Sequence, residues 1–260
     1  MRSTDMADEL FGAADALPGG VRLATAKRGG VTVTRVEIAR EGLARPRGRY
    51  VTLEMPSVSV LDERDADIIE TCAAELRALL PPEGPVLVLG IGNRRVTADA
   101  LGPRTAQKIL VTMGPQHTLP VRGIRPVAAL APGVSGDTGL TLRQLAAAMV
   151  DAVRPAALIC VDSLCSAEAA RLGRTIQFSD TGLHPADARH ARHLDAAALG
   201  VPVIAAGIPT LMDADEGADL VLTPRALDSV IAHGSALLAG ILNRALQPRL
   251  SVAQLCWLTG

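Results

Sequence analysis

Three short apolar runs constrain this chain more than any other feature. PVLVLG at 85–90, AALICV at 156–161 and VPVIAA at 201–206 are rich in β-branched residues and bounded by turn signals. A strand with one face in water alternates apolar and polar residues, whereas a strand covered on both faces reads as a continuous apolar run. The runs therefore predict buried strands of a parallel sheet, with helices packed on both sides. Helix-period segments stand where such a fold needs them. Residues 62–80 repeat at helical spacing behind Asp62 as N-cap and stop at Pro81-Pro82. Residues 99–113, 140–153 and 225–246 read as further helices, and 126–130 as a further strand. Ahead of them, VTVTRVEI at 31–38 alternates as a half-buried antiparallel strand does, and YVTLE at 50–54 reads as its successor. With no internal repeat and no low-complexity linker, residues 1–260 are expected to form one α/β domain, a mainly parallel sheet sandwiched by helices.

Composition narrows the function classes. Hydrophobic residues make up 48% of the chain but aromatics only 2%, so Ala, Leu, Val and Ile must fill the core through wide helix–sheet contacts. Lys and Arg number 26 against 27 Asp and Glu, and no basic run forms a nucleic-acid footprint. The four cysteines, Cys72, Cys160, Cys165 and Cys256, lack CxxC spacing and are expected to be reduced thiols in a cytoplasmic setting. The start, MRSTDMADELFGAAD, is acidic and unlike a secretory signal, and no window is expected to supply the roughly 18 uncharged apolar residues of a membrane helix.

In open α/β sheets, sites form beyond the carboxyl ends of the strands. GIGN at 90–93 sits there, but it lacks the third glycine of a dinucleotide loop, because Arg95 holds that place, and no GK[ST] follows. The turn aims Asp99, in VTADALGP, at the strand edge; an N-cap role is the competing reading. Asp162 ends AALICVD, where an apolar edge or a second acid raises a carboxyl pKa; capping of a helix through SLCSAEAARL competes. Two DTG triplets, at 137–139 and 180–182, evoke pepsin, but they sit among helix-period segments rather than in an all-β chain. HPADARHARH at 184–193 interleaves His with Arg in a loop and lacks the usual zinc spacing. Cys160 reads as core and has no paired His in local spacing.

Taken in order, the segments resemble the germination protease (spore protease) family of endospore-forming bacteria. The matching series is RSTDMADE at 2–9, YVTLEMP at 50–56, VLGIGNRRVTADALGP at 88–103 and APGVSGDTG at 131–139. It continues with VDSL at 161–164, TIQFSDTGLHP at 175–185, LGVPVIAAGIPTLMDA at 199–214 and the tail at 220–248. The resemblance implies an endopeptidase that cuts small acid-soluble spore proteins during germination. It implies Asp99 and Asp162 as the catalytic aspartates, no cofactor, a homotetramer in the spore core, and a fold similar to hydrogenase-maturation proteases. Asn93, Asp180 and His184 are candidates for supporting the pair.

The chain departs from the family pattern at several places. GNWNVTPDALGP reads GNRRVTADALGP, with Arg94 for an aromatic residue; ADARHARH replaces a glycine- and lysine-rich segment; and a stretch is missing between Asp213 and Leu220. The chain also begins almost at the RTDLA-like motif, so the removable propeptide of the family is expected to be lacking. Three rival readings stand beside the protease: a nickel-type maturation protease of the same fold, a nucleotide-dependent enzyme, and a non-catalytic relative.

Overall fold

The computed structural model describes residues 4–12, 16–114, 123–184, 193–214 and 220–259. Its strands are β1 (Val21–Arg28), β2 (Val31–Ile38), β3 (Gly48–Glu54), β4 (Val86–Gly90), β5 (Val127–Leu130), β6 (Ala157–Cys165), β7 (Thr175–Ser179), β8 (Val203–Asp213) and β9 (Val221–Leu222). The helices are α1 (Ala7–Phe11), α2 (Ala66–Arg77), α3 (Leu101–Ala106), α4 (Ser135–Thr138), α5 (Leu142–Val153), α6 (Ala196–Leu199), α7 (Leu227–Leu246) and α8 (Val252–Thr259).

One sheet runs in the order β1-β2-β3-β7-β8-β6-β4-β5, with β9 paired to the far end of β8. The expected run of parallel strands is present as β8-β6-β4-β5. The sheet as a whole, however, is mixed and not mainly parallel: β1, β2, β3, β7 and β8 pair antiparallel in succession. The reason lies in the connections. Gly29 and Gly30, both at positive φ, turn β1 into β2 as a tight hairpin. Between β6 and β7 a parallel crossover would need a helix, but that stretch forms only the 3-10 turn Ala169–Arg171. β1 escaped the sequence reading because VRLATAKR lies almost wholly exposed at the sheet edge and carries no apolar signal.

Helices cover both faces. On one face α2, α3 and α7 pack over Val31, Val33, Val51, Leu53, Val88, Ile159 and Ile204. On the other, Ala146 and Val150 of α5 meet Leu87, Leu89, Leu158 and Cys160, while Ala7 and Phe11 meet Val36, Ile38 and Tyr50. Successive residues of β4 and β6 thus belong to opposite cores, which is why those strands are apolar at every position.

Two helices are shorter than expected. Residues 62–65 form a turn instead of helix, with the Asp62 N–H donating to Asp65 Oδ2 (2.7 Å) and Asp62 Oδ1 accepting from the Arg64 N–H (2.7 Å). α3 ends at Ala106, and beyond it Asn243 of α7 takes over the backbone: its Oδ1 accepts from the Leu110 N–H and its Nδ2 donates to the Lys108 carbonyl. α5 instead matches the expected span, closed by a capping box between Thr141 and Gln144. α7 is, by length and composition, a helix that could cross a membrane, although each of its 18-residue windows carries a charge, Arg244 in every one, so the expected lack of an uncharged window is not contradicted. It is mostly buried as the central core helix, with Ile231, Leu237, Leu238, Ile241 and Leu242 inside.

Candidate active site

Asp162 owes its place to unequal strand lengths. β4 stays in register with β6 only as far as Gly90 opposite Val161, while β6 continues beside β8 to Cys165. Asp162 is therefore the first residue of β6 beyond the end of β4, and it is only 7% exposed. No helix starts after it, so helix capping is not its role; its Oδ1 accepts from the Ser163 N–H at 2.8 Å. Opposite it on β8 stands Gly207, where a Cβ would lie 2.4 Å from the Asp162 carbonyl oxygen and 2.7 Å from the Leu164 side chain.

Asp99 is placed by glycines that let backbone meet backbone. Leaving β4, the Ile91 N–H donates to the Val161 carbonyl (2.8 Å). A Cβ on Gly90 would meet the Gly102 carbonyl at 2.1 Å, and one on Gly102 would meet the Ile91 and Val161 carbonyls at 2.3 Å. Gly92, at φ +123°, lies against the Asp99 backbone. The 3-10 turn Thr97–Asp99 that results packs against β6 and is pinned from β8 by Thr210 Oγ1, which donates to the Ala98 carbonyl at 3.0 Å. The Asp99 side chain does not cap α3. Its Oδ2 accepts from the Asn93 N–H at 2.7 Å, six residues upstream, while Asn93 Oδ1 accepts from the Arg95 N–H.

A further set of residues escaped the sequence reading as site neighbours. Thr52, Gln177, Gly207 and Asp162 lie in one register row across β3, β7, β8 and β6, and so share a face of the sheet. The segment 4–9 lies across that row. The Asp5 N–H donates to the Cys165 carbonyl and Asp5 Oδ2 accepts from the Cys165 N–H, both at 2.8 Å, Gln177 clasps the Ala7 N–H and the Asp5 carbonyl, and Asp8 Oδ1 accepts from Thr52 Oγ1. RSTDMADE carried a family resemblance but no spacing signal, since its acids reach strands more than forty residues away in sequence.

A cleft beside this row is lined by Asp5, Arg45, Leu164, Gln177, Ser179 and His184, among others. Arg45 is nearly buried and donates to the Thr4 and His184 carbonyls. His184 reaches this cleft, with its Nε2 2.9 Å from the Thr181 carbonyl oxygen. Asp180 lies just past the end of β7, three residues beyond Gln177 and about 10 Å along the chain from the level of Asp162. There both its carboxylate oxygens are taken by Arg49, each at 2.7 Å.

The His-rich stretch falls largely outside the described residues. Of its ends, His184 and His193 meet edge to face, 5.1 Å between ring centroids, with Asp195 Oδ2 3.9 Å from His184 Nε2. Among the described residues, no group of three or more His, Cys, Asp or Glu side chains is disposed to hold a metal ion. The thiols next to Asp162 are poor nucleophiles. Burial pushes the Cys160 thiol far up, and burial with the charges of Asp213 and Asp5 pushes Cys165 up to about 12, so both stay protonated near neutrality.

Residues 12–216 match the family model described as germination protease. The germination protease of Clostridium perfringens is 32% identical over a gapped alignment of 278 positions, covering 85% of this chain and 86% of that protein. That of Caldanaerobacter subterraneus subsp. tengcongensis is 39% identical over 208 residues (75% and 64% covered), and that of Bacillus velezensis 36% over 225 (79% and 58%).

Proposed function

The chain belongs to the germination protease family, and from that membership we propose that it is an endopeptidase that hydrolyses small acid-soluble spore proteins with Asp99 and Asp162 as its catalytic pair. The observation that carries the reading is the packing of the 97–99 turn against β6, on which Asp162 stands buried just past the end of β4.

Two carboxyl groups at one partly desolvated site ionise in coupled steps and share a proton over a range of pH. The ionised member takes a proton from water as its oxygen attacks the scissile carbonyl carbon. The protonated member hydrogen-bonds the carbonyl oxygen and then protonates the leaving amine as the C–N bond breaks. Backbone N–H groups of the GIGN and PGVSG turns stabilise the oxyanion. Arg95 and Asp137, 3.3 Å apart, support this by tying the two turns together. Asn93 supports the pair through the N–H it gives Asp99, while Asp180 and His184 anchor the loop beside the neighbouring cleft through Arg49 and the Thr181 carbonyl. On the same reading the working form is a cytoplasmic homotetramer of the spore core, similar in fold to hydrogenase-maturation proteases, without direct contact to nucleic acid or membrane.

The test is cleavage of a purified small acid-soluble spore protein by the wild type, Asp99→Asn and Asp162→Asn, with and without EDTA. Each substitution is expected to cost about a thousandfold or more in rate, with an unchanged circular dichroism spectrum and no effect of EDTA on the wild type. A fully active Asp162→Asn protein would sink the pair, and loss of wild-type activity in EDTA would transfer the reading to a metal enzyme.

A further inference from the structure

The path of the sheet ends on two outer strands, β1 and β5, and the sequence treats them differently. β1 carries Arg22, Lys27 and Arg28, the kind of charge that keeps an exposed edge from pairing with another chain. Residues 127–136, from β5 through the PGVSG turn, hold no charged side chain. The inner side of β5 is used: the Val86 N–H donates to the Pro126 carbonyl, and the parallel register turns the backbone groups of Ala128 and Leu130 toward β4 in the same way. The N–H and C=O of Val127 and Ala129 therefore point outward.

The edge is closed at the far end and open toward the site. At Val127, Thr112 Oγ1 accepts from the N–H (2.9 Å), and the carbonyl accepts from the N–H groups of Thr112 and Met113, both at 3.0 Å. Two residues nearer the site, no hydrogen bond among the described residues reaches the outward N–H or C=O of Ala129. The strand then passes through Ala131 into the turn that Arg95 and Asp137 tie to the Asp99 turn. Gly136 in α4 has nothing among the described residues within 4 Å of where a Cβ would lie, whereas the other glycines inside helices, Gly102, Gly234 and Gly240, each face packed atoms. Glycine weakens a helix relative to alanine and is used where another backbone comes close. No described residue makes that approach at Gly136.

We propose that β5 is the docking edge for the polypeptide substrate: an extended stretch of that chain pairs, as an added strand, with the outward N–H and C=O of Ala129. The inference rests on the aspartate-pair reading, which fixes where the scissile bond lies. β4 and β5 stand between β6 and the added strand, so three inter-strand spacings, about 14 Å, separate that strand from Asp162. An extended chain covers about 3.3 Å per residue, so the docked stretch begins about four residues from the bond that is cut. Between the two, the substrate crosses the GIGN and PGVSG turns and passes Gly136. Main-chain pairing does not depend on side-chain identity, so the edge holds and orients the chain whatever its sequence there.

The experiment compares Ala129→Pro and Ala129→Gly with the wild type. Proline removes the outward N–H, which an edge strand tolerates, and glycine keeps it. Kinetics are read on a small acid-soluble spore protein and on a peptide reaching about three residues to either side of the cut bond, with the thermal midpoint and sedimentation coefficient of each variant. Ala129→Pro is expected to lose about tenfold in kcat/KM on the protein, chiefly through KM, and to cut the short peptide at the wild-type rate; Ala129→Gly is expected to match the wild type on both. Wild-type kinetics of Ala129→Pro on the protein overturn the proposal, as does an equal loss on the short peptide, which places the damage in the site itself. A changed sedimentation coefficient with unchanged kinetics assigns the edge to a second copy of the chain and overturns it too. Should the proline variant misfold, the wild type decides on peptides of increasing length: kcat/KM is expected to rise about tenfold once one side passes about four residues and to lose that gain when the added residues are N-methylated, and a rate independent of length overturns the proposal. Asp162→Asn, measured alongside, separates the two levels: activity retained there defeats the aspartate pair itself, whereas inactivity there with a fully active Ala129→Pro defeats only the docking edge.

Discussion

At the scale of single residues, the carboxylate positions depend on glycines more than on the acids' immediate neighbours. Gly92 is the sharpest case, because at φ +123° a Cβ would stand 2.0 Å from the Asp99 carbonyl oxygen and 3.0 Å from its Oδ1. The closer contact is with backbone, so the turn itself must shift, and with it the bond from the Asn93 N–H to Asp99. Gly92→Ala is expected to lower stability by about 1–3 kcal/mol and to cut proteolysis at least tenfold at temperatures where the protein is still fully folded. Urea unfolding followed by a rate measurement on the folded variant checks both; wild-type rates would show that Asp99 tolerates a displaced turn. Gly207 constrains the other acid in the same way, through Leu164 and the Asp162 carbonyl.

At the scale of elements, legibility divided according to whether an element's signal is local. β4 and α5 were readable because a continuous apolar run and a Thr-x-x-Gln box each state their own structure. Asp162 is expected directly after its strand, but β6 continues through it for three more residues, since pairing with β8 and not its own composition decides where it stops. The direction of β7 was likewise hidden in the absence of a crossover helix. The segment 4–11 is the extreme case, for beyond its own short bonds it is held by distant partners. Asp8 is 6% exposed there, bonded to Thr52 and to Arg171 Nη1 at 2.5 Å. Arg171 also reaches Glu9 and Glu168 (3.5 and 3.1 Å), so removing Asp8 leaves the cation less stranded than a lone pair would. Asp8→Ala is therefore expected to cost about 2 kcal/mol, measured by chemical denaturation, and to loosen the segment that Asp5 fastens to Cys165. A change below about 0.5 kcal/mol would mean that this docking contributes little to holding the end of β6.

At the scale of the whole molecule, each face of the sheet seals a thiol. Cys72 of α2 lies in the core beneath α7, Cys160 of β6 in the core beneath α5, and both are fully buried. Burial, assisted by the charge of Glu75, raises the Cys72 thiol from its ordinary 9.0 to about 12, and burial beside Asp162 raises Cys160 further still. The sign of the linkage follows. Below pH 9 both thiols are protonated in the folded and unfolded chains, so they contribute their full stability. Above it the unfolded chain releases protons that the folded chain retains, and stability falls with pH until the folded thiols themselves ionise. Each sealed thiol then removes about 1.4 kcal/mol per pH unit. Tyr50, raised to about 12 chiefly by burial, joins only above its ordinary 10.0. The urea midpoint is accordingly expected to hold steady from pH 7 to 8.5 and to fall steeply between 9 and 10. Cys165, also raised to about 12, loses its proton with them in the unfolded chain, so Cys72→Ala is expected to remove no more than about a third of that slope, whatever it costs in packing. A midpoint independent of pH between 8 and 10, or a slope in Cys72→Ala equal to that of the wild type, would mean that at least one core admits water well before global unfolding.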